Sequence, residues 1–158
     1  MAATIITLIN AFQASFAAYN LYLASISISN LRRYEEKSKK AAKYSNVAEH
    51  QLHKTRTTQA SRTIAVFVSF ASSAYLFLSS RFKFTASHYV SAFIAALNIA
   101  VLVAARTHVG RFWKGKAKVP LPGVGYYNEA ITITQTVRLN MLYLIVGWVV
   151  GGGLGWIL

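Results

Sequence analysis

The feature that most limits the fold of this chain is a long stretch, Ala3 to Leu31, that contains no charged residue. About 20 consecutive apolar residues cross the hydrocarbon core of a bilayer as a helix, and this stretch is longer. A cleaved signal peptide is the alternative, but no basic segment precedes the stretch, which also exceeds the roughly 7–15 apolar residues of a signal sequence. The sequence therefore predicts an uncleaved first membrane span.

Three further apolar stretches follow, and together the four predict membrane spans at about residues 3–31, 63–80, 88–105 and 131–158. The composition agrees with this interpretation, because 54% of the residues are hydrophobic and only 13% are charged. The mean hydropathy of +0.38 is also higher than a soluble domain would have. We expect an all-α fold, an integral membrane four-helix bundle, in which residues 1–158 form a single membrane domain.

Basic residues are concentrated between the predicted spans. Seventeen Lys and Arg stand against four Glu and no Asp, which gives a net charge of +13. Nine of the basic residues lie in segment 32–62, two in the short second connection, and five in segment 106–130. The positive-inside rule predicts that 32–62 and 106–130 are basic cytosolic loops. Because the charges follow the topology, we predict membrane lipids and no nucleic acid as partners.

Several kinds of chemistry are excluded by the residues that the chain lacks or separates. It has no cysteine, so it has no thiolate of its own. Its carboxylates are Glu35, Glu36, Glu49 and Glu129. The first three lie in a segment predicted to be solvated and the last stands alone, which argues against hydrolysis by a carboxylate pair. His50 and His53 are too few ligands for a metal, so no metal site is predicted.

Polar side chains also occur inside the first predicted span. Asn10, Gln13 and Asn20 lie within about 80° of one another on a helix, because each residue advances the helix by 100°. Unpaired amides are costly in hydrocarbon, so this stripe is expected to face other helices or a wet cavity. Two interpretations stay open, namely hydrogen bonds between helices and a substrate cleft.

Small residues recur every four positions in the other three predicted spans. The stripes are Ser61, Ala65, Ser69 and Ser73; Ala92, Ala96, Ala100 and Ala104; and Gly147, Gly151 and Gly155. Small residues allow helices to approach closely within a membrane. The stripes predict tight crossings, either within the chain or between copies in an oligomer.

The candidate functional residues are hydrogen-bond donors that cluster at the predicted cytosolic ends of the spans. They are Arg56, Gln59, Arg106, His108, Arg111, Gln135 and Arg138. Such a set is typical of a pocket for an anion, either a carboxylate-bearing small molecule or a phospholipid headgroup. The alternative is that each cation only anchors a helix end at the membrane surface.

Arg138 is the most specific of these candidates. The apolar run from Leu139 to Leu158 corresponds to about 30 Å of helix, the thickness of a bilayer core, so Arg138 is expected at its boundary. The helix is predicted to begin near Glu129, which would extend two polar turns beyond the membrane. Anchoring alone does not require such an extension.

The layout resembles the MAPEG family, the membrane-associated proteins in eicosanoid and glutathione metabolism. The resemblance covers nearly the whole chain and lies in its length, four spans, basic first loop and two stretches, "HKTRTTQASR" and "TQTVRLNMLYL". It implies a homotrimer with glutathione bound between neighbouring subunits. It also implies that Arg138 stabilises the glutathione thiolate and that Arg56 opens the second span. Where the family pattern has Asn and Glu after this arginine, the chain has Ala60 and Thr63.

Two functional hypotheses follow. The first, from the resemblance, is a glutathione-dependent transferase or peroxidase that acts on a lipophilic substrate in the endoplasmic reticulum, with Arg138 as its catalytic residue and the other six donors binding glutathione. The second is a non-catalytic four-span subunit or scaffold of a larger membrane complex. Composition alone fits the mitochondrial inner membrane as well as the endoplasmic reticulum.

Overall fold

The fold is seen in a computed structural model, which describes residues 2–42, 46–82, 87–116, 118 and 124–157. These residues form four helices: α1 (Ala2–Ala42), α2 (Asn46–Arg81), α3 (His88–Trp113) and α4 (Gly125–Ile157). No strand occurs in the described ranges. The prediction of an all-α four-helix bundle is confirmed.

The helices form an up-and-down four-helix bundle with a square cross-section. α1 packs against α2 and α4, and α3 packs against the same two helices, so α1 and α3 occupy diagonal corners. Thr7 bonds to Ser80 at one end of the bundle, and Glu35 pairs with Arg56 at the other. α1 and α2 are therefore antiparallel, and the end that contains Arg56 is the basic end of the bundle. The bond from Trp113 to Thr58 shows the same relation for α2 and α3. The bonds of α3 with Gln135 and Gly155, at its two ends, show it for α3 and α4.

The bundle interior combines apolar packing with buried polar groups. Its largest buried side chains include Trp113 near the basic end and Trp148 farther along. Each indole donates to a hydroxyl of α2, Trp113 to Thr58 and Trp148 to Ser69, both at 2.9 Å. These bonds satisfy the polar edge of each ring and link α2 to α3 and α4.

The outer surface of the bundle is strongly apolar. Large hydrophobic side chains are exposed on every helix, including Leu8, Phe12, Ile64, Phe67, Phe93, Leu97, Leu139 and Val146. Soluble monomers rarely expose such continuous apolar surface. Apolar groups outside and amides inside are the distribution expected of a bundle that lies in lipid.

Three of the helices are long and apolar enough to cross a membrane. They correspond to Glu49–Arg81, His88–Trp113 and Gly125–Gly155. These ranges contain the predicted second and third spans and most of the fourth, and they support the assignment to a membrane. The predicted first span, 3–31, lies within α1, which does not reach the same hydropathy among the described residues.

The basic segments differ from the predicted loops. Segment 32–62 is mostly helical, because α1 continues to Ala42 and α2 begins at Asn46. Segment 106–130 is also helical at both ends, since α3 ends at Trp113 and α4 begins at Gly125, before the predicted start near Glu129. Charge interrupts an apolar run without interrupting a helix, because Lys, Arg and Glu are good helix formers.

The polar stripe of α1 is buried as predicted. Asn10, Gln13 and Asn20 are all buried, and Nδ2 of Asn140 on α4 donates to Oδ1 of Asn20 at 2.8 Å. At Asn20 the stripe therefore forms a hydrogen bond between helices. Gln13 differs, because neither polar atom of its side chain has a hydrogen-bond partner among the described residues.

The small-residue stripes have different environments. In α2, Ala65, Ser69 and Ser73 are buried inside the bundle. Gly147 of α4 lies against the side chain of Gln13, and Gly151 lies near Ile9, so these two glycines allow packing within the chain. The alanine stripe of α3 is largely exposed on the outer surface instead.

Candidate functional site

The candidate residues all lie in the half of the bundle nearest the basic end, on three helices. Arg56 and Gln59 are on α2, Arg106, His108 and Arg111 are on α3, and Gln135 and Arg138 are on α4. Hydrogen bonds between helices show that these ends are adjacent. Nε2 of Gln59 donates to Thr134 at 3.1 Å, and Nζ of Lys116 donates to Gln51 at 2.9 Å. The two basic segments therefore meet at one end.

A polar groove of about 540 Å³ lies between α1 and α2 at the basic end. Its charged lining consists of Arg32, Glu35, Glu36 and Arg56. Gln59 also lines it, one turn deeper in α2. The volume is within the range of small-molecule sites, and the lining offers both signs of charge. Of the predicted residues, only Arg56 and Gln59 are in this groove.

Glu35 is the residue of this groove whose burial differs from the prediction. It was predicted to be solvated, but only 8% of its side chain is exposed, whereas 64% of its partner Arg56 is exposed. Nη2 of Arg56 donates to one carboxylate oxygen of Glu35 at 2.8 Å, and Nε donates to the same oxygen at 3.2 Å. Two donors hold the carboxylate in one orientation, with the charge of Arg56 open to solvent.

Gln59 connects the groove to the bundle interior. Its side chain is buried, and Thr134, which accepts from Gln59, also hydrogen bonds with Ser27 of α1 at 3.2 Å. Three helices therefore meet at this amide. Its Oε1 is buried and accepts no hydrogen bond from the described residues, so one acceptor of the interior stays available.

Arg62 is the residue that the candidate set omitted. It is completely buried, and Nε, Nη1 and Nη2 all lack a hydrogen-bond partner among the described residues. No carboxylate neutralises it, because Glu35 pairs with Arg56 and the other three glutamates are exposed. Its spacing of seven residues from Ser69, on the inward stripe of α2, is the signal that could have placed it inside.

Arg138 lies on another face of the bundle. Its Nη1 is 3.7 Å from the position that a β-carbon on Gly110 would take, so the guanidinium packs beside α3. Arg106 is one turn from Gly110 on the same face of α3, and its Nε is buried without a partner among the described residues. Neither arginine lines the α1–α2 groove. Within one chain, Arg106 and Arg138 both lie near Gly110 of α3, whereas Arg56 lines the α1–α2 groove.

The other three candidates have simpler environments. His108 and Arg111 are exposed on α3. Nε2 of Gln135 donates to the backbone oxygen of Trp113 at 2.9 Å, which satisfies one of the carbonyls left open at the end of α3. Among the residues that the structure describes, no group of three or more His, Cys, Asp or Glu could hold a metal ion.

Comparison of the chain with protein-family models, curated proteins and solved structures finds no match. The functional assignment therefore depends on the chemistry of the residues at the basic end.

Proposed function

We propose that the protein is an integral membrane enzyme that binds glutathione at its basic end. It either joins glutathione through its sulfur to a lipophilic substrate or uses glutathione to reduce such a substrate. The observation that carries this proposal is the α1–α2 groove, where carboxylates and guanidinium groups lie side by side at a membrane-embedded bundle's end. Glutathione has one ammonium group and two carboxylates, so a ligand of this kind needs both signs of charge.

Each part of the groove has a complementary part in the ligand. Glu35 and Glu36 suit the ammonium group, and Arg32 and Arg56 suit the carboxylates. In the MAPEG pattern a Glu of the second helix is expected, where this chain has Thr63. Glu35 of α1 offers a carboxylate at the same end of the bundle, and it can replace the Glu of the family pattern.

The chemistry further requires a cation beside the thiol. A positive charge within a few ångströms lowers the pKa of a thiol by about 1–3 units, so more of it is thiolate at neutral pH. The thiol proton passes to solvent. In a transfer reaction the thiolate attacks an electrophilic carbon, and the C–S bond forms as the bond from that carbon to its leaving group breaks and the electron pair departs with that group. In a reduction the thiolate attacks a peroxide oxygen as the O–O bond breaks, and a second glutathione releases that oxygen from sulfur as water to form the disulfide. Arg138 and Arg106 are the candidates for this charge, and both lie away from the groove of their own chain.

Because Arg138 and Arg106 lie away from the groove of their own chain, the proposed site requires a homo-oligomer. If neighbouring copies pack so that the α3–α4 face of one meets the α1–α2 groove of the next, Arg138 completes the site across the interface. The trimer implied by the MAPEG resemblance is an arrangement of this type. The endoplasmic reticulum is the proposed membrane on the same basis, with the mitochondrial inner membrane as the alternative.

The test is glutathione binding to purified protein in detergent, measured by calorimetry. Arg56→Ala should weaken binding about tenfold or more, because a hydrogen bond to a charged group contributes about 1.5–3 kcal/mol. Arg81→Ala, an exposed arginine at the other end of α2, is the matched control and should leave affinity unchanged. Arg138→Ala should reduce the ultraviolet absorbance of bound thiolate. No binding by the wild-type protein at millimolar glutathione would refute the proposal.

The second candidate is a non-catalytic subunit of a larger membrane complex. The exposed alanines of α3, Ala96, Ala100 and Ala104, favour it, because small residues on a lipid-facing surface suit close contact with another helix. In that case Ala100→Phe should remove a stoichiometric partner from the purified protein. Val90→Phe, exposed near the other end of α3, should retain the partner.

A further inference from the structure

A second groove lies in the half of the bundle that is opposite the basic end. It has a volume of about 710 Å³, and the described residues that line it belong to α1 and α4. Its walls are apolar and include Ile5, Phe12 and Val146, each of which is exposed on the outer surface. The groove therefore opens sideways, toward the region that lipid occupies around a membrane bundle.

Packing within the chain does not explain why one polar side chain of this groove is buried. Gln13 lines the groove and only 3% of it is exposed, yet both Nε2 and Oε1 make no hydrogen bond with the described residues. The amide reaches α4 at Gly147, where an added β-carbon would lie 2.9 Å from Oε1. An amide in apolar surroundings without a partner costs a few kcal/mol, so a group from outside the chain is expected to pair with it.

The neighbouring amides do not pair with Gln13 in the structure. Asn140 also lines the groove, but its Nδ2 already donates to Asn20 at 2.8 Å. Asn20 in turn donates to the backbone oxygen of Phe16 at 2.8 Å. Gln13 is thus the amide of this groove whose donor, Nε2, and acceptor, Oε1, both lack a partner among the described residues.

We propose that the α1–α4 groove binds a lipophilic molecule whose apolar chain carries a hydroxyl group that pairs with the Gln13 amide. The apolar walls select the chain, and the amide selects the polar group. A hydroxyl fits best, because it can donate to Oε1 or accept from Nε2, whereas a carbonyl can only accept.

The position of Gln13 also sets where the hydroxyl must be. Gln13 is eight residues from Ile5 at the outer end of the groove, which is about 12 Å along a helix at about 1.5 Å per residue. A lipid headgroup stays at the membrane surface, so its hydroxyl or ester does not reach this depth. The hydroxyl is therefore in the middle of the chain of the ligand.

The experiment compares ricinoleic acid, which has a hydroxyl in the middle of its chain, with oleic acid, which lacks it. Displacement of radiolabelled oleic acid from purified protein in detergent gives the two affinities. Wild-type protein should bind ricinoleic acid about three- to tenfold more tightly, as expected for one neutral hydrogen bond. No saturable binding, or equal affinity for the two acids, overturns the proposal.

Two variants assign the preference to the amide. Gln13→Leu removes the open amide from an apolar site and should bring the affinity ratio close to one with little change for oleic acid. Asn98→Leu is the matched control, because Asn98 is a buried amide with an open Oδ1 that does not line this groove. It should keep the wild-type ratio, and a preference that survives Gln13→Leu contradicts the proposal. The test uses no glutathione, so it is independent of the proposed enzyme.

Discussion

Replacing Arg62 with methionine should stabilise the protein, which is unusual for a fully buried residue. The three guanidinium nitrogens have no partner among the described residues, and none of the four glutamates neutralises them, because Glu35 pairs with Arg56 and the others are exposed. The effective penalty for burying one ion is several kcal/mol, even after relaxation. Methionine is unbranched, has a similar volume and has no polar group to desolvate.

The expected gain follows from comparable replacements. Exchanging buried ionic groups for apolar residues of similar volume is neutral or stabilises proteins by about 1–4 kcal/mol. For a chain of this size, 1 kcal/mol shifts the Tm by about 2–4 °C, so a gain of 2 kcal/mol corresponds to about 4–8 °C. The buried indoles of Trp113 and Trp148 give a fluorescence signal for unfolding.

The assay is thermal unfolding of purified protein in detergent at low salt. Arg81→Met, at an exposed arginine of the same helix, is the control and should change the Tm little. Added anions should raise the Tm of the wild-type protein more than that of Arg62→Met, because an anion that pairs with Arg62 stabilises the folded state. An unchanged or lower Tm for Arg62→Met at low salt would refute the view that this charge is uncompensated.

Two further predictions concern stability, and thermal unfolding measures both. Arg56→Ala should destabilise by about 1–3 kcal/mol and Glu35→Gln by less than about 1 kcal/mol, because only the first leaves a buried carboxylate without its partner; equal losses would contradict the unequal burial of the pair. Gly147→Ala should be less stable than Gly153→Ala, since a β-carbon at 147 would lie 2.9 Å from Oε1 of Gln13, whereas nothing lies within 4 Å at 153. Gly153→Ala should gain about 0.5–1 kcal/mol from helix propensity, and a loss there would show a contact that the structure lacks.

The helical fold was predictable from the sequence because hydropathy and charge act over long stretches. The apolar runs placed all four helices, and the amides Asn10, Gln13 and Asn20 identified the inner face of α1. The helix ends were not predictable in the same way. Lys and Arg mark where a helix leaves the membrane, but the helix continues beyond that point, as α1 does to Ala42.

The candidate site was only partly predictable, because the pairing of side chains depends on which helices are neighbours. Charge patterning predicted Arg56 and Gln59 at one end of the bundle, but nothing in the sequence puts Glu35 of α1 beside Arg56 of α2. Likewise, Arg138 shares a level with Arg56 but belongs to another face. The depth of a side chain in the bundle follows from its position along a helix. The neighbours that it faces depend on how the whole bundle packs.

The environment of α1 explains why hydropathy separates it from the other three helices. Its mean hydropathy is lowered by Asn10, Gln13 and Asn20, but these side chains are buried and would not contact lipid. The residues that α1 exposes include Leu8 and Phe12, which suit hydrocarbon as well as the exposed residues of α3 do. An average over the helix counts both faces equally, although only the outer face meets the solvent. The outer face of α1 therefore supports its assignment as a fourth span, since its polar stripe is buried and does not meet lipid.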